Sequence, residues 1–140
     1  MKHKSTLVLM EQAVMLLVFA VAAVVCLRCF VWADTRSRQE AALDMALQQA
    51  QNAAELTQHW EGDLAQTAAW MGGSLEDGNW VLRFDEAWQQ DAQGSYLLQV
   101  ALCDSGHPLL GKASVSVTDA SGGEMAFLTV CWQKEGPGGA

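Results

Sequence analysis

The sequence predicts an α+β protein: one long N-terminal helix, first transmembrane and then amphipathic, packed on a small antiparallel sheet of about four strands. Three observations carry this. No Pro or Gly occurs between Met1 and Trp60. The apolar run from Ala13 to Leu27 holds no charge, and Arg28 is the only charge before Asp34. After Gly73 the helical spacing gives way to strict alternation in four separate segments.

The apolar segment comes first. Lys2, His3 and Lys4 lead into Thr6-Leu7-Val8-Leu9-Met10, and Glu11 and Gln12 interrupt before the run proper. Ala13 to Ala33 spans about 31 Å at 1.5 Å per residue, enough to cross a bilayer. Lys2 and Lys4 favour a cytoplasmic N-terminus, against the pull of Arg28, Arg36 and Arg38. The long acidic remainder is then the exported part. Trp32 marks the membrane interface. Glu11 stands inside this greasy segment, where a carboxylate is costly and invites a functional explanation. A secretory signal cut between Ala33 and Asp34 is one alternative, and an unprocessed single-pass anchor is another. A lipoprotein signal is excluded, because Val25 and Arg28 precede Cys26 and Cys29.

Asp34 to about Trp60 continues the helix. Leu43, Ala46, Leu47, Ala50, Ala53, Ala54, Leu56 and Trp60 recur at steps of three and four, which makes one apolar stripe. A helix from Leu7 to Trp60 would be about 80 Å long. The stripe lacks the Leu/Ile heptad and the paired flanking charges of a coiled coil. Gly62 ends it. Asp63 to Met71 reads as one more short helix, stopped by Gly72-Gly73.

Four alternating strands follow: Trp80 to Asp85, Tyr96 to Cys103, Ala113 to Thr118, and Ala126 to Trp132. Turn residues at Asp91 to Gly94, Asp104 to Pro108 and Asp119 to Gly123 separate the four. Short links favour an antiparallel meander whose apolar face is covered by the helix stripe. Trp60, Trp70, Trp80 and Trp132 are expected in the core, and Trp88 is expected to be exposed. In a meander Cys103 and Cys131 flank the third of these strands. Their separation is then roughly 9–10 Å, too far for a disulfide. Cys26 and Cys29 are expected to act as small hydrophobes in the membrane helix. The tail from Glu135 to Ala140, rich in Gly and Pro, is expected to be disordered.

Composition narrows the function classes. From Asp34 onward there are 5 basic and 15 acidic residues, a net of −10. Phosphate contacts need Lys and Arg, so nucleic acid is not an expected partner. His3, His59 and His107 show no ligand spacing, and no nucleophile motif or phosphate loop is present. Cys26-x-x-Cys29 matches a redox spacing but lies in the membrane helix. Asp85, Glu86 and Asp91 cluster without the spacing of a calcium loop. No metal, cofactor or small-molecule substrate is expected, and the chain is read as non-enzymatic.

The stretch Thr6-Leu7-Val8-Leu9-Met10-Glu11 resembles the type IV prepilin start, a small residue and four apolar ones before Glu at the fifth mature position. Thr6 stands where that family usually has Gly, and Leu7 where it usually has an aromatic residue. The pattern is most similar to divergent minor pseudopilins of Gram-positive secretion, competence or pilus systems. The resemblance implies a pilin-like fold with a leader at 1–6, a transmembrane helix at 7–33, an extracytoplasmic amphipathic part with the short helix at 34–73, and a sheet domain at 74–134. It implies that a prepilin peptidase cuts between Thr6 and Leu7 and methylates the new amine. Glu11 would then set subunit register by pairing with a neighbour's α-amine. The implied partners are the membrane, other pilin-like subunits and that peptidase. The implied location is the cell membrane, with a cytoplasmic N-terminus and an extracytoplasmic C-terminal domain. The alternative is an unprocessed single-pass protein that presents a binding domain outside the cell.

Overall fold

The computed structural model describes residues 2–135, with Lys2 described by its backbone alone. The expected disordered tail therefore lies, beyond Glu135, outside the described residues. The chain forms two compact units, Met1–Ala41 and Ala42–Ala140.

Helix α1 runs unbroken over Lys2–His59. From His3 to Ala41 its residues are exposed, as a chain with no Pro, no Gly and a lipid-compatible surface allows. It contains an 18-residue window of mean hydropathy 2.8, none of it buried, which is long and apolar enough to cross a membrane. Cys26 and Cys29 are accordingly exposed on the single chain. Beyond the apolar run the surface becomes ionic. Arg38 pairs with Asp34 at 3.1 Å and Arg36 with Glu40 at 3.4 Å, and Arg36 also lies 5.7 Å from the Trp32 ring centre. These are exposed pairs one turn apart and add only a few tenths of a kcal/mol each.

In the second unit the end of α1 covers a sheet. Ala46, Ala50, Ala53 and Thr57 form the fully buried row. The three alanines share one buried cluster with the larger strand residues. Thr57 is tolerated there because its hydroxyl donates to the Ala53 carbonyl at 2.7 Å. Leu43 and Leu47, expected in the stripe, lie on its margin at 45% and 40% exposure. Helix α2 spans Leu64–Met71; Asp63 caps it by accepting from the Gln66 N–H, and the Gly72 N–H closes it on the Ala68 carbonyl.

The sheet has five antiparallel strands in the order β1-β2-β3-β4-β5: β1 Ser74–Glu76, β2 Asn79–Phe84, β3 Tyr96–Cys103, β4 Leu110–Thr118 and β5 Glu124–Gln133. The expected meander is present, with one more strand than the four expected. Strand β1 is only three residues long and wholly exposed, so it carries no alternation to read. Its signal is the two-residue turn Asp77-Gly78, both at positive φ (50° and 81°), the geometry of a tight hairpin.

Cross-strand rows build the buried face. Trp80 lies opposite Val100, which lies opposite Val115; Leu82 lies opposite Leu98, which lies opposite Val117. All six are buried against the α1 alanines. Lys112 is the register partner of both Cys103 and Cys131. The two cysteines are thus two strand spacings apart, free and exposed. Three tryptophans depart from expectation. Trp60 is half-buried and lies outside the core cluster. Trp70 is 73% exposed, because the buried face of α2 is Leu64 and Thr67. Trp88 is half-buried and stacks on Tyr96 at 4.4 Å between ring centres.

Gly111 faces Trp132 across the β4–β5 ladder, and the indole lies over it. A Cβ at Gly111 would overlap the rigid, buried indole ring. Gly111→Ala is expected to cost about 1–3 kcal/mol, as overpacking does. The check is a lower denaturation midpoint with an unchanged slope.

The β4–β5 turn depends on Asp119. Its carboxylate accepts from the Ser121 hydroxyl at 2.6 Å and from the backbone N–H groups of Gly123 and Ser121 at 2.8 and 2.9 Å. These bonds, the Ser121 hydroxyl foremost, hold its pKa below the ordinary carboxylate value of 3.8. A depressed folded pKa contributes stability above the unfolded value, and that contribution is lost as pH falls through the folded one. Asp119→Ala is therefore expected to lower the melting temperature by a few degrees at neutral pH. The gap should narrow as pH falls below 3.8 and through the lowered folded value, which parallel melts of both proteins would check.

Candidate functional site

The three residues singled out in the sequence all lie in the first unit, on the opening turns of α1. Thr6, Leu7 and Glu11 are exposed and helical. Leu7 and Glu11 are four residues apart, hence on one face and about 6 Å apart along the axis. The Thr6–Leu7 peptide bond is part of the helix. Glu11 is surrounded along the helix by Leu7, Val8, Val14 and Met15, all exposed apolar side chains. Among the described residues it makes no ion pair. In a bilayer that carboxylate needs a proton or a cation from outside this helix face. An α-amine created at Leu7 would lie one turn away on the same face of the same helix.

The acidic loop residues have a different role. Asp85 accepts from the N–H groups of Ala87 and Gln89 at 2.9 Å each, and Asp91 accepts from the Gln93 N–H at 3.0 Å. Asp104 accepts from the Gly106 N–H at 2.9 Å. Each carboxylate serves to cap its own turn. Among the described residues no three His, Cys, Asp or Glu side chains gather to hold a metal ion.

Surface depressions among the described residues of the second unit include these two. One, of about 600 Å³, lies between α1 and α2 and is lined by Asn52, Glu55, Leu56, His59, Trp70 and Met71. It places an acid and a histidine one turn apart but has no hydroxyl or thiol nucleophile in its lining. The other, of about 390 Å³, lies beside β1 and includes Glu76, Arg83 and Asp91. Sequence reasoning gave no sign of the first, because its rim is the misassigned Trp70. The outward place of Trp70 follows from its being out of phase with the Leu64, Thr67, Ala68, Met71 face. Comparison with protein-family models, with curated proteins and with solved structures finds no match to this chain.

Proposed function

We propose that this chain is a non-enzymatic, minor pseudopilin-like subunit of a type IV pilus, type II secretion or competence-type fibre. The observation that carries the proposal is Glu11. It is a single carboxylate in an exposed apolar helix, one turn from Leu7, in a chain whose same helix later becomes the core of an antiparallel meander. In this reading the apolar half of α1 crosses the cell membrane with its N-terminus in the cytoplasm. A prepilin peptidase frees the Leu7 amine, and Glu11 pairs with the amine of a neighbouring subunit. Burying a carboxylate in lipid is unfavourable alone and becomes favourable once that cation meets it, so subunits drawn together in register are the stable state. The sheet unit forms the extracytoplasmic surface. Neither nucleic acid nor a small-molecule substrate is a direct partner.

Intact-mass and N-terminal peptide analysis of the protein from its native membrane tests the proposal. The expected chain begins at Leu7 with a methylated amine. A chain beginning at Met1 would make it an unprocessed anchor instead, and one beginning at Asp34 a secreted domain.

A further inference from the structure

We propose that the outer edge of β5 is a pairing surface for a second copy of this chain, joined antiparallel about a two-fold axis at Thr129. This inference is independent of the fibre reading. Its starting point is which way the backbone of β5 points. The Lys134 N–H donates to the Leu109 carbonyl at 2.8 Å, continuing the β4–β5 ladder by one residue. Backbone groups alternate in direction along a strand, so Trp132, Val130 and Leu128 also turn toward β4. Phe127, Thr129, Cys131 and Gln133 then direct their N–H and C=O groups away from the sheet. A second bond agrees: the Cys131 carbonyl accepts from the Gln58 side-chain amide at 3.3 Å. That amide is the one partner of this edge among the described residues.

An open edge of this length is a template for another strand, and proteins usually blunt such edges. Here β5 is ten residues long, with no Pro, and Met125 to Gln133 carries no charge. Its one irregularity, opposite Val117 and Thr118, lies at its far start. The opposite edge of the sheet, β1, has only three residues.

The second copy is the occupant because the edge is complementary to itself. Antiparallel pairing centred on Thr129 sets Phe127 opposite the other copy's Cys131, Thr129 opposite Thr129, and Cys131 opposite Phe127. Every one of these groups points outward, and the three pairs exchange about six backbone bonds. On the open face an aromatic ring, 54% exposed, meets a thiol at both ends. Charge selects the direction. Glu124 opens the strand and Lys134 follows its end, so antiparallel copies bring opposite charges together at both ends. A parallel arrangement would set like against like. Glu135 falls beyond, beside Gly122 and Gly123. The Gln58 amide must leave Cys131 as the copies join, so it works as a removable cover.

The test uses the full chain in detergent micelles, which let two anchors take either direction. Its readouts are light scattering and disulfide trapping. In a chain with all four native cysteines changed to Ser, Thr129→Cys should cross-link to itself under copper-phenanthroline and air. Two thiols lose two hydrogens to oxygen as the S–S bond forms. Directly opposed residues with Cα atoms about 5.5 Å apart suit that bond. Ser116→Cys, on β4, should not cross-link. Thr129→Pro removes one outward N–H from each copy, which an edge strand tolerates, hence two of the about six bonds, and should weaken dimerisation by about tenfold or more with circular dichroism unchanged. Gln58→Ala should strengthen it. A monomer with no Thr129→Cys product would overturn the proposal. So would a dimer equally strong in Thr129→Pro, which would place the contact in the membrane helix.

Discussion

Trp80→Ala is expected to destabilise the sheet unit by about 3–5 kcal/mol, the usual cost of removing a large aromatic side chain from a core. Against the 5–15 kcal/mol that typical domains possess, this takes away a large share of the total. Trp80 is fully buried and sits at the junction of three elements. It lies between Leu75 of β1 and Val100 of β3 in the ladder. Its indole N–H donates to the Gly72 carbonyl at 2.7 Å, tying the end of α2 to the sheet. Gly73 approaches so closely that a Cβ there would lie 2.8 Å from the same nitrogen. Small relaxations cannot fill a hole walled by backbone on one side and by the fully buried Val100 on the other. Trp80→Phe keeps most of the buried area but leaves the Gly72 carbonyl without its donor. Its added cost is about 1 kcal/mol for the bond, plus a smaller cavity. Denaturant titration of the full chain in detergent, followed by near-ultraviolet circular dichroism, should rank wild type above Phe above Ala. A loss below about 1 kcal/mol for Ala would mean that the core is not organised around this residue.

The same residue shows why much of the fold was readable. Trp80, Leu82 and Phe84 alternate, and alternation is a local consequence of having one dry face. Strand β3 came out at its observed limits, Tyr96 to Cys103, because turn residues bound it on both sides. Helix α2 was marked by Asp63 and Gly72, whose capping chemistry is also local. Misreadings arose where burial depends on a distant partner. Trp88 is fixed at positive φ (58°) by its loop and covered by Tyr96, eight residues on, which no periodicity announces. Leu43 and Leu47 have the right spacing, yet the fully buried positions of α1 are taken by Ala46, Ala50 and Ala53, and the larger neighbours lie at the margin. Thr57, a polar residue with no place in an apolar stripe, completes the buried row by satisfying its hydroxyl on its own helix.

The candidate site was legible as a pattern and only as a pattern. Thr6, Leu7 and Glu11 stand out by residue type and spacing, and the structure puts Leu7 and Glu11 on one exposed face of α1. Glu11 lies on an exposed apolar surface of α1 and makes no ion pair among the described residues, so the fold of one chain offers no contact from which to read its role. The β5 edge illustrates the converse. Its apolar alternation marked a strand, but its terminal place follows from the order of all five strands, a global property. Cys103 and Cys131 fall between these cases. Their separation followed from a meander assumed on short links, and both are indeed in register with Lys112.

On the pseudopilin reading proposed above, Glu11→Ala is expected to leave membrane insertion intact or improved while removing the chain from the fibre. Charged residues deep in a transmembrane helix cost roughly 2.5–3.5 kcal/mol on insertion scales, so Ala makes α1 a better membrane segment. What it would remove, on that reading, is the pairing of a carboxylate with an amine in lipid. Breaking one partner of a buried pair costs about 3–5 kcal/mol, because the other charge is left alone, and every 1.4 kcal/mol is a factor of ten. Incorporation should therefore fall by tenfold or more at unchanged expression. The measurement is the ratio of sheared fibre material to membrane-retained protein in cells that carry the variant as their sole copy. Glu11→Gln separates charge from size: it keeps the shape and a hydrogen-bond acceptor but cannot neutralise an ammonium, so it should resemble Ala. Glu11→Asp keeps the charge on a shorter arm and should retain part of the incorporation. An unprocessed anchor makes the opposite prediction, with all three variants equal to or more abundant than wild type in the membrane and no assembled fraction to lose. Equal incorporation of Ala and wild type would remove Glu11 from any role in assembly, and the pseudopilin reading with it.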